Sequence, residues 1–221
     1  DDASRLTQAR AQLRRGSYDS AATTFGEVAS ARDSAVARSA RHHHVRALAE
    51  RGRYDDAEAA GRRYGAAAFV PFGDVLRTRG RLAEAESAYA RAVSARTSDS
   101  LTAHLRLGEL RLDRGDPAGA RRIFDRFIDV YNNRQGRLTS PELLAVARAT
   151  RHLGATDPQL FKDALRAYDA AIATDSGNVD ARVELGEMFL EKYNGPDARQ
   201  MLVGVLRENP SHPRALLGMA R

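Results

Sequence analysis

Cysteine and tryptophan are absent from the 221 residues, and proline is scarce at seven. Without cysteine there is no disulfide, no thiolate-held metal and no cysteine nucleophile. Few prolines and abundant alanine favour helix over sheet, because alanine loses no side-chain entropy in a helix. Lysine is nearly missing as well: of 35 basic residues only Lys162 and Lys192 are lysine, and arginine supplies the rest. That bias fits the codon usage of a GC-rich genome. The net charge is +6, but residues 1–100 hold 17 basic and 13 acidic groups, and residues 101–221 hold 18 and 16. Interleaved signs of this kind belong to solvated helix faces, so no nucleic-acid partner is expected. No run of about 18 apolar residues exists, hence no membrane span is expected. The chain opens on Asp1-Asp2 with no apolar leader. Such a start suits a processed exported protein or a piece of a longer one, which leaves cytoplasmic and exported (periplasmic) locations both open.

Catalytic signatures are also lacking. There is no His-Glu-x-x-His, no Gly-x-Ser-x-Gly, no glycine-rich phosphate loop and no dinucleotide fingerprint. The triplet His42-His43-His44 is not a metal site by spacing, because consecutive helical residues point about 100° apart. The partner positions one turn on are Arg46 and Leu48. By its spacing, His44 faces inward. His104, His152 and His212 stand alone. Asp55-Asp56 sits where a helix starts and suits the helix dipole. No active site, metal or cofactor is expected within these residues.

What is present is repetition. From Gly16 the chain runs to Ala21, Phe25 and Val28; the offsets recur from Gly52 (Ala57, Gly61, Tyr64), Gly80 (Ala85, Tyr89, Ala92) and Gly115 (Ala120, Phe124, Phe127). Two further units, Ala164-Tyr168-Ala171 and Ala198-Leu202-Val205, keep the series without the glycine. Spacing of i, i+4 and i+7 places each set on one helix face, a small residue first and a large one a turn later. A preceding helix carries its own small residue seven positions before the turn: Ala9, Val45, Gly73, Gly108 and Ala147, with the pair Leu185-Gly186 in the last full unit. Gly16, Gly52, Gly80 and Gly115 suit a positive φ after a helix. Asp116-Pro117 and Asp157-Pro158 read as N-cap and first turn, and Ser140-Pro141 as a similar start.

The central alanines are spaced 36, 28, 35, 44 and 34 residues apart. The short step predicts trimmed helices around Tyr64–Ala68. The long step holds a polar loop at 132–136 and a longer turn at 154–158. Leu185-Gly186, Phe189, Ala198, Leu202, Val205 and Pro210 resemble a tetratricopeptide repeat throughout, and Leu107-Gly108, Gly115, Ala120 and Phe124 resemble one nearly as well. The resemblance implies an all-α, right-handed solenoid of about six antiparallel helical hairpins plus a truncated further helix. It reads as one domain, 1–221, with approximate units 2–37, 38–65, 66–100, 101–135, 140–178 and 179–212; residues 213–221 open another. The chain resembles the N-terminal part of a longer bacterial protein of this family.

The resemblance also implies a concave groove lined by the first helices, and a partner that is a protein or peptide. The groove residues it implies are Leu6, Arg10, Arg14, His42, Arg46, Asp74, Arg77, Glu109, Asp113, Arg148, Arg151, Glu187 and Glu191, with Val70, Leu105, Leu144 and Val183 among the aliphatic ones. The lysines and asparagines by which some family members clamp a chaperone tail are absent from these positions. Arg10, Arg14 and Arg46 favour an acidic partner toward the N-terminal units. The alternatives are a structural spacer that associates end to end, or an accessory region of an enzyme whose catalytic part lies beyond Arg221.

Overall fold

The computed structural model describes residues 1–134, 136–154, 157–192 and 194–221. Among them are thirteen α-helices, one 3-10 turn and no strand. The helices form successive hairpins: α1 (Asp2–Arg14) with α2 (Tyr18–Val28), α3 (Ser34–Glu50) with α4 (Tyr54–Tyr64), and α5 (Phe69–Thr78) with α6 (Leu82–Ser94). Then come α7 (Ser100–Asp113) with α8 (Pro117–Asn133), α9 (Ser140–Leu153) with α10 (Pro158–Thr174), and α11 (Val179–Glu191) with α12 (Gly195–Glu208), followed by α13 (Pro213–Met219). The chain divides into two compact units, 1–107 and 108–221, and the division falls inside α7. The expected loop at 132–136 and turn at 154–158 include residues 135, 155 and 156, which lie outside the described residues.

The turns within the first four hairpins repeat one device. Gly16, Gly52, Gly80 and Gly115 have φ of 80°, 79°, 74° and 74°. The residue after each glycine donates its N–H back to a carbonyl five positions earlier: Ser17 to Gln12, Arg53 to Leu48, Arg81 to Leu76 and Asp116 to Arg111, at 2.8–2.9 Å. The glycine itself bonds three positions back. This pairing satisfies carbonyls that a helix end leaves open, and it needs a left-handed residue that only glycine adopts without strain.

Caps set several helix starts. Asp33, Asp116 and Asp157 each accept a backbone N–H of the helix they precede. Because Asp33 caps α3 at Ser34, the first repeat ends before that residue and not at 37. At α9 the cap is Thr139, boxed with Glu142, and not Ser140. Ser140 is buried and donates its hydroxyl to the Ala171 carbonyl at 2.8 Å. The trimmed step is present: α4 ends at Tyr64, a 3-10 turn covers Gly65–Ala67, and α5 has only 10 residues.

Each core is a run of small-against-large contacts. In unit 1, Ala9, Ala21, Phe25, Val45 and Ala57 share one buried cluster, and Phe72, Leu76, Ala85, Tyr89 and Ala103 another. In unit 2, Val183, Leu202, Val205 and Ala215 pack together. Gly73 lies on Tyr89, Gly108 on Phe124 and Gly186 on Leu202. The missing Cβ lets the ring or branched chain of the second helix touch the first helix's backbone. Burying each such side chain contributes about 1.5–3 kcal/mol. Helix α5 is buried nearly all round, through Phe69, Val70, Pro71, Phe72, Gly73, Val75 and Leu76.

Candidate functional site

The first helices carry a register that the packing makes visible. Take the small residue of each (Ala9, Val45, Gly73, Gly108, Ala147, Gly186) as its origin. The next residue is Arg10, Arg46, Asp74, Glu109, Arg148 or Glu187 in turn, and two residues before the origin lie His43, Arg106 and Glu184 in the second, fourth and sixth repeats. The earlier position faces back toward the preceding repeat, and there it meets that repeat's later position.

In unit 1, Arg106 pairs with Asp74, Nε to Oδ1 at 2.9 Å, and Tyr89 of α6 donates its hydroxyl to the same oxygen at 2.7 Å. In unit 2 the charges are exchanged. Arg148 donates to Glu184 from Nε at 2.9 Å and from Nη2 at 2.7 Å, while the Tyr168 hydroxyl donates to Glu184 Oε2 at 2.9 Å. Burial and the neighbouring carboxylate both push the two phenols above their usual range. Burial pushes Glu184 up, but Arg148 and Arg214 outweigh it and hold the carboxyl below its ordinary value.

Around Glu184 the charges neutralise one another. Arg214 of α13 donates to Glu187 at 2.7 and 3.0 Å and to Glu184 at 3.2 Å. Arg151 pairs with Glu191 and lies 3.8 Å from Glu187. The neighbouring Glu109 is buried, 3.9 Å from His152, whose ring stacks on Phe124 at 4.8 Å. Asp113 is exposed.

The same register in the first two repeats is filled differently. Arg10 occupies the later position and His43 the earlier. His43 stacks on Phe25 at 5.3 Å, and its Nδ1 is buried without a hydrogen-bond partner. Burial first, then the fields of His42, Arg46 and Arg10, hold its pKa well below the ordinary histidine value. Arg10 donates to the Ser39 hydroxyl at 2.8 Å, and Arg14 is exposed. Arg46 lies 3.7 Å from Glu50. His42 meets Asp99 at 3.0 Å. His44, the inward member of the triplet, contacts the Tyr64 hydroxyl at 2.8 Å and faces Gly26. Arg77 is half-buried.

Several of the aliphatic positions expected along the groove are covered. Leu6, Val70, Leu105, Leu144 and Val183 are all buried. They fill contacts beneath the charged residues, as Leu6, Val70 and Val183 do within the core clusters. Of the residues that link neighbouring repeats, Tyr89 and Tyr168 belong to the repeat pattern, whereas His43, Arg106 and Glu184 were not singled out by it. Their signal is a titratable residue two places before the small one, on a face that is otherwise core.

The family model described as Tetratricopeptide repeat matches residues 6–71 and 70–136, and a second of the same description matches 157–221. The chain belongs to the tetratricopeptide repeat family. No curated protein sequence matches it significantly. Among solved structures, TTC0263, a tetratricopeptide protein of Thermus thermophilus, is similar at TM-score 0.55 and 17% identity, over 86% of this chain and 100% of that one. A chain of the APC/C hetero-tetramer Cut9-Hcn1 is similar at TM-score 0.53 and 15% identity, over 100% of this chain and 42% of that one. These likenesses show the fold. Tetratricopeptide repeats generally mediate protein–protein interactions and are generally non-catalytic scaffolds.

Proposed function

We propose that the chain is a scaffold that holds an acidic protein segment against the first helices of unit 1, at Arg10, Arg14 and Arg46 beside His42. The supporting observation is the histidine at the junction between the first two repeats. Where Arg106 meets Asp74 and Arg148 meets Glu184, the register supplies a carboxylate to each arginine. Where Arg10 approaches His43, the group at that register is an imidazole kept neutral by burial and by the fields of the cations around it, while Arg46 faces Glu50 on its own helix. An acidic segment laid along Arg10 and Arg14 would meet a local excess of positive charge there. Hydrogen bonds to charged groups are worth about 1.5–3 kcal/mol each, against 0–1 kcal/mol for an ordinary exposed ion pair. Within unit 1, Arg77 would then serve as a flanking contact, Asp74 as a structural tie to Arg106 and Leu6 as buried support.

The test is fluorescence anisotropy with labelled Asp/Glu-rich peptides of about ten residues, comparing the protein with its Arg10→Glu/Arg46→Glu variant. Binding should weaken at least tenfold, with a slower on-rate and a flatter salt response. Equal affinity and equal salt response in the variant would refute the site.

The spacer reading has its own support. On α13, Leu216, Leu217 and Met219 are 48%, 57% and 37% exposed. Sedimentation of the protein against Leu217→Glu tests it; a monomer at every concentration in both removes this alternative.

A further inference from the structure

One contact in unit 1 skips a repeat. His42 lies on the first helix of the second repeat, and Asp99 immediately precedes the first helix of the fourth, yet the imidazole Nδ1 and Asp99 Oδ2 are 3.0 Å apart. Neighbouring packed helices lie about 8–10 Å apart, so first helices two repeats apart should be about twice that. The His42–Asp99 approach is closer than that spacing.

Three local features accompany it. The central alanines flanking the third repeat's entry, Ala57 and Ala85, are the pair with the 28-residue step. Helix α5 has 10 residues and starts only after a 3-10 turn. The α6–α7 turn is folded back tightly: Arg96 takes a φ of 48°, unusual for a side-chain-bearing residue, and the Ser100 hydroxyl is 2.8 Å from the Thr97 carbonyl and 3.3 Å from that of Ala92.

Asp99 is also used differently from the other aspartates that precede helices. Asp1, Asp33, Asp116 and Asp157 turn their carboxylates onto the N–H groups of their own helices. The Asp99 carbonyl accepts from Ala103, but its carboxylate meets His42 instead. A cap that stabilises most aspartate-led helices is given up for a long-range contact. The N-terminal half of α5, through Phe69, Val70, Pro71, Phe72 and Gly73, is buried. Val70, which family resemblance places on the groove face, packs in the cluster that contains Ala103, one turn into α7.

We infer that His42 and Asp99 form a strap, tying the second repeat to the start of the fourth over the shortened third, whose release uncovers the N-terminal half of α5. Closed, the strap keeps Val70 and Pro71 from solvent. Open, it leaves an apolar step on the first-helix face. The device stands independently of whether an acidic segment binds at Arg10 and Arg46.

Hydrogen exchange read by mass spectrometry tests this on the whole chain, with His42→Ala, Asp99→Ala and the double variant. Exchange in residues 69–76 and 96–103 should rise about tenfold in each single variant, and the double should rise no further, since both remove one contact. The apolar dye ANS should gain fluorescence in all three. Residues 6–28 should keep the parent's protection. Unchanged exchange at 69–76 and 96–103 would overturn the strap. So would a uniform rise across residues 1–107, which would make the contact a general stabiliser of unit 1, or single-variant effects that simply add.

Discussion

Alanine at Gly73 should separate packing from helix propensity. Taken alone, Gly→Ala in a helix interior gains about 1 kcal/mol, because glycine loses more backbone freedom on folding. In this structure a Cβ at Gly73 would lie 2.7 Å from Tyr89 Cδ1 and 2.9 Å from Cζ. That ring cannot swing away cheaply. It is fully buried, and its hydroxyl is tied to Asp74 at 2.7 Å. Overpacking of this sort costs about 1–3 kcal/mol, and moving the ring also strains a hydrogen bond worth about 1 kcal/mol. The net expectation is destabilisation by about 1–2 kcal/mol. Gly186 is the control on the same register. Its Cβ would lie 3.0 Å from Leu202 Cδ2 and 3.1 Å from Cγ, so that a shift of a few tenths of an ångström relieves the contact. There the propensity gain and a small adjustment should nearly cancel, leaving about 0 ± 0.5 kcal/mol. Urea denaturation followed by far-UV circular dichroism gives both values. Replacing Tyr89 by Leu in the Gly73→Ala background should recover part of the loss, since a branched chain can yield where a ring cannot. Equal stability of Gly73→Ala and Gly186→Ala would refute the claim that small residues are fixed by the second-helix ring.

Ala120, fully buried, should tolerate Leu no better: the denaturation midpoint should fall by an amount corresponding to about 1–3 kcal/mol. Replacing Arg148 by Met leaves Glu184 buried beside Arg214 and Tyr168, and should cost roughly 3 kcal/mol at pH 7, the lower end for a broken buried pair. Because the folded Glu184 carboxyl sits below its unfolded value of 4.5, its pairing stabilises above that pH and is lost as pH falls through the folded value, so the variant and the parent should converge in acid. His43 and His44 act in a separate window. Both are depressed below 6.5, so the unfolded chain binds the extra protons, and stability present above pH 6.5 declines as pH falls. The slope is at most about 1.4 kcal/mol per pH unit for each histidine, and His43→Phe should flatten it between pH 7 and 5 in thermal melts.

The sequence by itself determined the repeat. Glycines such as Gly16 and Gly80 mark left-handed turns because no other residue enters them freely, and pairs such as Ala85 with Tyr89 mark an inward face because helical period is a local property. Those signals act within one hairpin, so they could be read without the fold. The trimming around Tyr64–Ala68 was legible as a 28-residue step, although its consequence was not. Only the tertiary structure decided which side chains of different repeats meet. Leu6 and Val183 sit at positions that the repeat pattern assigns to the groove, yet neighbouring helices cover them. Asp74 reads as a groove acid and proves to be the partner of Arg106 and Tyr89. Asp99 lies outside the repeat pattern and reaches His42. Each of these outcomes depends on the distance between helices far apart in sequence. That distance is fixed by the volumes packed between them, which no periodicity along one helix records.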